Sequence, residues 1–310
     1  MDRITDILVI VNPLVRDQPA ITKAAKLARW FGADIELLIC DTRNLRQAHT
    51  EGELPVLSNA LLNDNLEALI EEIARPLRDD GIGVTTHIIG GDPLHKAVVS
   101  WMRNSPADLV VKDTHHHSFV KRALGVNTDW HLIRTCPAPL LLTKPGIWGS
   151  PPVLMAAVDP GHVNDGSGVL DHRILDITAA LAKCTNAQVH AAHAYFPSAI
   201  AAAAVGGMPM MGASADAFSA ELNLRISQIR ALGDEYAIAT QNLHVEAAVA
   251  AEYLPRVSGE CHADIVVMGV IARSSLRRAF IGGTAERVLE ALPCDALVVK
   301  PTDFAQDLPF

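Results

Sequence analysis

The sequence carries none of the short signatures that announce a dedicated catalyst. There is no G-x-S-x-G elbow, no G-x4-G-K-[ST] phosphate loop and no H-E-x-x-H pair. Nor does an obvious nucleophile stand beside a base, the arrangement that activates a serine or cysteine. Slow hydrolysis of a bound nucleotide would need no such motif, so that much stays open. Cysteine is sparse: Cys40, Cys136, Cys184, Cys261 and Cys294 are odd in number, far apart, and form no C-x-x-C pair. Neither a disulfide framework nor a zinc knuckle is indicated, and reduced, mostly buried thiols in a cytoplasmic protein are expected. Basic residues are in deficit, 26 Lys and Arg against 35 Asp and Glu, for a net charge of −9. A broad nucleic-acid face, which needs clustered Lys and Arg, is therefore not expected. No apolar run is long enough for a bilayer. The first, within DILVIVNP, soon meets Arg16 and Asp17, and Ala199–Ala213 is broken by Gly206, Gly207, Pro209 and Gly212. Neither a signal peptide nor a membrane partner follows from them.

What is present is a globular composition, 49% apolar and 20% charged over 310 residues, long enough for about two domains. It is also a duplicated chain. DILVIVNP (6–13) is echoed by PVLMAAVDP (152–160), ADLVVK (107–112) by ADIVVM (263–268), and APLLLTKP (138–145) by DALVVKP (295–301). Three echoes in the same order define a tandem repeat. The offset grows from 147 to 156 residues, an insertion of about nine residues for which the Ala/Gly/Met-rich stretch 197–215 is the place. KPGIWGSPP (144–152) suits a linker, giving domains at 1–148 and 149–310. The second copy is the more acidic, yet it holds the basic cluster Arg273, Arg277 and Arg278.

Within the first copy, short apolar runs at Ile7–Val11, Ile35–Cys40, Val84–Ile89, Leu109–Val111 and Leu140–Thr143 alternate with helical patterns near 19–31, 56–79, 94–103 and 128–135. Continuously apolar strands separated by helices predict a parallel sheet covered on both faces, a doubly wound α/β layer. Ligands of such layers sit beyond the carboxyl ends of the strands at the switch point. The residues to examine are therefore those after the first and fourth strands: Asn12 and Asp113–Thr128 in one copy, Asp159 and Gly269–Thr284 in the other.

In the second copy the chain leaves Met268 through Gly269-x-x-Ala272-x9-Gly282-Gly283-Thr284 into a helix-like segment. Glycines admit close backbone approach, a helix N-terminus offers unpaired N–H groups, and arginines such as Arg273 pair with phosphate oxygens. The spacing leaves two readings, a phosphate cradle or a tight turn beside solvated arginines. A strand ending Met-Gly, this glycine loop, a helix, then a strand ending Val-Lys resembles the universal stress protein family. So does the aspartate after the first strand, Asp159. The tandem layout and Thr128-Asp129-Trp130-His131-Leu132 with Cys136-Pro137 are similar to its tandem, E-type branch.

That resemblance covers nearly the whole chain and implies two flavodoxin-like units with strand order 3-2-1-4-5, packed as an internal pseudo-dimer through their last strands. It implies ATP across the first strand and the glycine loop: Asp159 at the nucleoside, Ala194 lining the base pocket, Met268 and Gly269 against ribose and phosphates, and Gly282, Gly283 and Thr284 cradling phosphate. Ala272 stands where the family has its second glycine, and Gly283 where it has serine. The methyl crowds the phosphate approach, and the lost hydroxyl removes about 1 kcal/mol of hydrogen bonding. In the first copy Lys112, Asp113 and Val126 align with Met268, Gly269 and Gly282, and Asn12 with Asp159. An acid at the phosphate position repels a nucleotide, so this copy is expected to have lost the activity.

Asp113, His115 and His117 could share a zinc ion from an extended loop, but no fourth ligand follows from the spacing, and solvated histidines are the preferred reading. His131 and Trp130 are expected to pack or hydrogen-bond. The segment 196–218, rich in Ala, Gly and Met, reads as a flexible pocket wall or a surface loop contacting partners. The expected function is a cytoplasmic stress-response sensor of a small ligand, ATP or a related phosphorylated compound. An unidentified protein partner would read its state, with further self-association left open. A weak ATPase and a carrier of an amphipathic acyl metabolite using residues 197–215 are the alternatives.

Overall fold

The computed structural model describes residues 4–40, 59–90, 93–114, 128–160, 168–197, 215–270 and 283–301. The chain divides into two compact units, the first reaching Gly146 and the second spanning Ile147–Pro301. In the first, the described elements are β1 (Asp6–Val11), α1 (Pro19–Phe31), β2 (Asp34–Ile39), α2 (Asn59–Asp79), β3 (Val84–Ile88), α3 (Leu94–Met102), β4 (Leu109–Asp113), α4 (Thr128–Thr135) and β5 (Leu140–Thr143). All pairings are parallel, in the order β3-β2-β1-β4-β5.

The second unit repeats the plan with β6 (Val153–Ala157), α5 (Gly168–Thr185), β7 (Gln188–Tyr195), α6 (Ala215–Glu235), β8 (Leu243–Ala247), α7 (Ala250–Glu260), β9 (Ile265–Gly269), α8 (Gly283–Ala291) and β10 (Asp295–Val299). Its parallel order is β8-β7-β6-β9-β10. Each unit is thus a 3-2-1-4-5 layer, the doubly wound sheet that the apolar runs predict in the flavodoxin-like order that the family resemblance implies.

The central strands are buried because helices cover both faces. Ile7–Val11 of β1 and Ile265–Met268 of β9 are almost wholly withdrawn from solvent, which is why they read as unbroken apolar runs. The edge strands β3 and β8 are half-exposed and mix in Thr, His and Glu. Helix α1 shows how a layer is closed. Pro19 sets its first turn, and an apolar face of Ala20, Ala24, Leu27, Ala28 and Phe31 turns inward. Gly32 ends it in the left-handed region at φ 65°, its N–H reaching the Ala28 carbonyl.

The echo ADLVVK/ADIVVM also has a structural cause. Asp108, just before β4, accepts hydrogen bonds from the Thr5 and Asp6 amides (2.7 and 3.2 Å). Asp264, just before β9, accepts from those of Gly149 and Val153 (3.0 and 2.8 Å). In both copies a carboxylate ties the entry of the first strand to the entry of the fourth.

The thiols depart from expectation. Cys40 and Cys136 are buried, but Cys184 is exposed and Cys261 and Cys294 are half-buried. Cys184 sits in the last turn of α5, which faces water. Among the described residues no helix is long and apolar enough to cross a membrane.

Candidate functional site

In each unit the chain moves outward in one direction from the first strand to the second and third, then returns to place the fourth on the other side. The strand ends therefore part between first and fourth, and that crevice is where a doubly wound layer binds its ligand. In the second unit β6 pairs with β9, Ala157 beside Met268. The chain leaving β6 through Val158 and Asp159 thus emerges next to Met268 and Gly269. Asp159 is 58% exposed at its side chain. Its amide donates to Asp171 Oδ1 (2.9 Å), a buried carboxylate in the first turn of α5. An acid there also complements the positive end of the helix dipole.

Three of the sequence-predicted site residues, Asp159, Met268 and Gly269, meet at this switch point. Ala194 lies one strand away on β7, half-buried and paired with Glu246 of β8. Gly283 and Thr284 open α8 and are exposed, and a side chain built on Gly283 would meet nothing within 4 Å. The first-turn amides of α8 have no partner inside the helix, so an anion has a donor set there. Ala272, Arg273 and Gly282 lie outside the described residues, as does the segment 198–214. Gly269 serves packing as well. A Cβ there would come 2.6 Å from Leu170 Cδ2 and 3.2 Å from Ile174 Cδ1, so the missing side chain lets α5 settle against the end of β9.

Sequence reasoning missed three residues around Asp159 and His193. One is Asp171. Another is His193 on β7, only 1% exposed, whose Nδ1 lies 3.7 Å from Asp159 Oδ1 and 3.1 Å from the Val158 carbonyl. Burial holds this imidazole below its ordinary pKa against the opposing pull of the Asp159 carboxylate. It is therefore neutral near pH 7, with Nδ1–H donating to the Val158 oxygen. The third is Arg225 of α6, whose guanidinium stands 5.9 Å from the ring centroid of Tyr195. The only hint was two histidines inside the strand sequence QVHAAHAY, which matches no motif.

The first unit fills the same place differently. Asn12 donates its amide to Gln18 Oε1 (2.7 Å) and accepts at Oδ1 from the Leu14 amide (3.0 Å), closing the β1–α1 turn internally. Asp113, at the position of Gly269, is buried, and its Oδ1 accepts from the Ala20 amide at the start of α1 (2.8 Å) and from Thr143 Oγ1 (2.7 Å). The Lys112 ammonium reaches the Asp113 carbonyl (2.8 Å). The acid read as repelling an anion is itself the anion bound at a helix N-terminus. This engagement also points the weak metal candidate Asp113 inward; His115 and His117 lie outside the described residues. Among the described residues no group of three or more His, Cys, Asp or Glu is placed to hold a metal. His131 stacks on His95 at 4.6 Å, packing as expected.

Comparison with known proteins agrees with this geometry. Universal stress protein E of Escherichia coli (strain K12) is 27% identical over 305 residues, covering 96% of this chain and 95% of its own length. The universal stress protein E homolog of Haemophilus influenzae is 26% identical over 308 residues, covering 96% and 97%. The crystal structure of a putative universal stress protein from Pseudomonas aeruginosa UCBPP-PA14 superimposes with a TM-score of 0.73 at 27% identity, covering 98% of this chain and 96% of that one. The family model matches twice, over residues 4–144 and 163–300, and the chain belongs to the universal stress protein family.

Proposed function

We propose that the second unit binds a small phosphorylated ligand, ATP or a related adenine nucleotide, and that the chain works as a stress-response sensor whose bound form is recognised by a protein partner. The observation that carries this reading is the exposed start of α8 at Gly283–Thr284. It lies at the same end of the sheet as the exposed Asp159 carboxylate, in the unit whose fourth strand ends in glycine rather than in a bound acid. A nucleotide spanning the crevice sets its phosphates on the amides of α8 and its nucleoside beside Asp159. Differential affinity for one conformation then biases the equilibrium that the partner reads. Turnover is at most a weak ATPase activity, a side reaction of binding.

Calorimetry of the full chain with ATP tests this. Heat of binding is expected, and Thr284→Glu, which sets a negative charge at the anion seat, abolishes it. Absence of heat with every adenine nucleotide removes the reading. Phosphate release that matches occupancy cycle for cycle promotes the ATPase instead.

A second reading, transport of an amphipathic acyl metabolite, is favoured by one observation. Val169, Phe196, Phe218 and Val249, which lead into α5, follow β7, open α6 and follow β8, all remain exposed, Phe196 by 51%. Mass spectrometry of gently purified protein decides it: a co-purifying acyl compound demotes the nucleotide.

A further inference from the structure

Two buried nitrogens of opposite character lie near Tyr195 in the second unit. His193 and Tyr195 lie on the same face of β7, their rings stacked with centroids 6.1 Å apart. Because Nδ1–H is committed to the Val158 carbonyl, His193 Nε2 carries a lone pair and is an acceptor. It is buried and has no partner among the described residues. Arg225, 5.9 Å from the Tyr195 ring centroid, uses Nη1 on Gln228 Oε1 (3.2 Å) and holds Nη2 at 3.8 Å from Glu221. Its Nε–H, a donor, is likewise buried and unpartnered among the described residues. Burying a polar atom without a partner is costly, so a matched pair of them calls for an occupant with a donor and an acceptor of its own.

Among the described residues, a few titratable groups bear on His193 or its partners. They are Asp159 after β6, Tyr195 on its own strand, Arg225 with its neighbour Glu221 on α6, and Asp171 of α5 held through the Asp159 amide. The exposed one is the Asp159 carboxylate, and between β7 and α6 His193 Nε2 and Arg225 Nε are left short of hydrogen bonds among the described residues. The first unit has no counterpart: Ile39 stands on β2 beside Val11 and is wholly buried among apolar neighbours.

We propose that His193 Nε2 and Arg225 Nε line a polar subsite between β7 and α6, on the side of the His193 ring away from Asp159, that takes the hydrogen-bonding edge of a nucleoside, His193 accepting from an N–H or O–H donor of the ligand. His193 is then a specificity-determining residue, and the donor comes from the amino group of the base or from the sugar hydroxyls. This rests on the proposed function only in placing a nucleoside in the second unit; it does not need the phosphate seat at α8.

The test uses the full chain labelled with 15N, observed through the imidazole nitrogens. It is titrated separately with adenosine, with purine riboside lacking the amino group, with 2′,3′-dideoxyadenosine, and with tripolyphosphate. Adenosine is expected to shift the His193 Nε2 resonance and to bind on the order of tenfold tighter than the analogue missing the donor, the size of one hydrogen bond. Which analogue suffers names the source. His193→Asn keeps a donor for the Val158 carbonyl but loses the distal acceptor; it weakens adenosine by a similar factor and leaves tripolyphosphate unchanged. His193→Gln, with an acceptor back at the Nε2 position, recovers part of the loss.

Protonation turns Nε2 from acceptor into donor, so adenosine affinity holds through neutral pH, falls once pH drops below the ordinary histidine range in the wild type, and stays flat in His193→Asn. Equal binding of adenosine by wild type and His193→Asn overturns the inference, as does a silent His193 resonance on adding adenosine, whatever the variants do. Failure of tripolyphosphate alone strikes the phosphate reading instead and leaves this one standing.

Discussion

At the end of the fourth strand the two units solve one geometric problem with opposite chemistry. The first places Lys112, Asp113 and Thr143 where the second has Met268, Gly269 and Val299, and in both the ladder continues by one more amide. Thr114 donates to Thr143, and Val270 to Val299 (2.8 and 2.9 Å). Backbone is held constant while side chains change from a connected polar set to apolar ones. In the first unit the helix that follows β1 has its leading amide satisfied by the protein's own carboxylate. In the second, Gly269 lets Leu170 and Ile174 of that helix close on the strand, and the acid moves onto the helix itself as Asp171. The first unit is thus self-liganded, while the second keeps Asp159 and the start of α8 open.

The largest effect that would break this comparison comes from removing the internal anion. Asp113→Ala leaves the Ala20 amide without its acceptor in a buried site and takes from the Thr143 hydroxyl its shorter partner, leaving it the Lys112 carbonyl at 3.3 Å. It should cost about 3 kcal/mol, since bonds to a charged group are worth about 1.5–3 kcal/mol each and are not additive. Urea unfolding reads it. Asp113→Asn retains an acceptor oxygen for both donors and should cost about 1 kcal/mol. If alanine and asparagine are equally mild, the carboxylate is not what holds the start of α1.

The reciprocal change, Gly269→Ala, tests the second unit. The new methyl meets Leu170 Cδ2 at 2.6 Å, which must swing aside, and overpacking of this kind costs about 1–2 kcal/mol. The same unfolding curve measures it. A neutral result would mean that α5 is loosely seated, and the glycine would then be answerable to ligand approach alone.

A milder handle is pH. In the second unit burial lowers the pKa of His190, His193 and His244, the first further lowered by His244. In the first it lowers His95 and the more exposed His131, with Arg134 and other cations adding to the effect. For a histidine whose folded pKa lies below its unfolded one, the unfolded chain binds the proton first. Stability is therefore full above about 6.5 and is lost as pH falls from there toward the folded value. Hydrogen exchange between pH 7.5 and 5 should show the second unit loosening first, because His190 and His244 share one hydrogen bond at 2.9 Å and cannot both carry a proton there. Equal loosening of both units would assign the acid response to carboxylates instead.

The architecture was legible because apolar runs and their echoes are local patterns repeated twice, and the Asp108/Asp264 device lay inside one of those echoes. The residues at the switch point were legible as positions, since strand ends can be counted. Their partners were not. That Asp113 would meet Ala20, 93 residues earlier, depends on α1 folding back over β4, and no spacing in the sequence encodes that distance. His193 was invisible for a related reason: a lone histidine in an apolar strand has the same appearance whether its far nitrogen is satisfied or not. The thiols show the limit of composition, since Cys184 is exposed simply because its helix turn faces water.

The smallest expected effect sharpens what makes Asp113 matter. Glu71 of α2 is held at about 2, first by the hydrogen bond from Arg78 (2.5 Å) and then by that from Thr86 (2.7 Å). Yet the pair is surface-exposed, and water and salt replace most of what each partner offers the other. Because the folded pKa is depressed, whatever stability the pair lends is present above the ordinary carboxylate range and fades as pH falls toward 2. Arg78→Ala should leave the unfolding midpoint at neutral pH within experimental scatter while returning the Glu71 titration, followed by NMR, toward its ordinary range. A midpoint shift as large as that of Asp113→Asn would mean that burial is not what separates these two carboxylates, and the account of the first unit as self-liganded would lose its energetic basis.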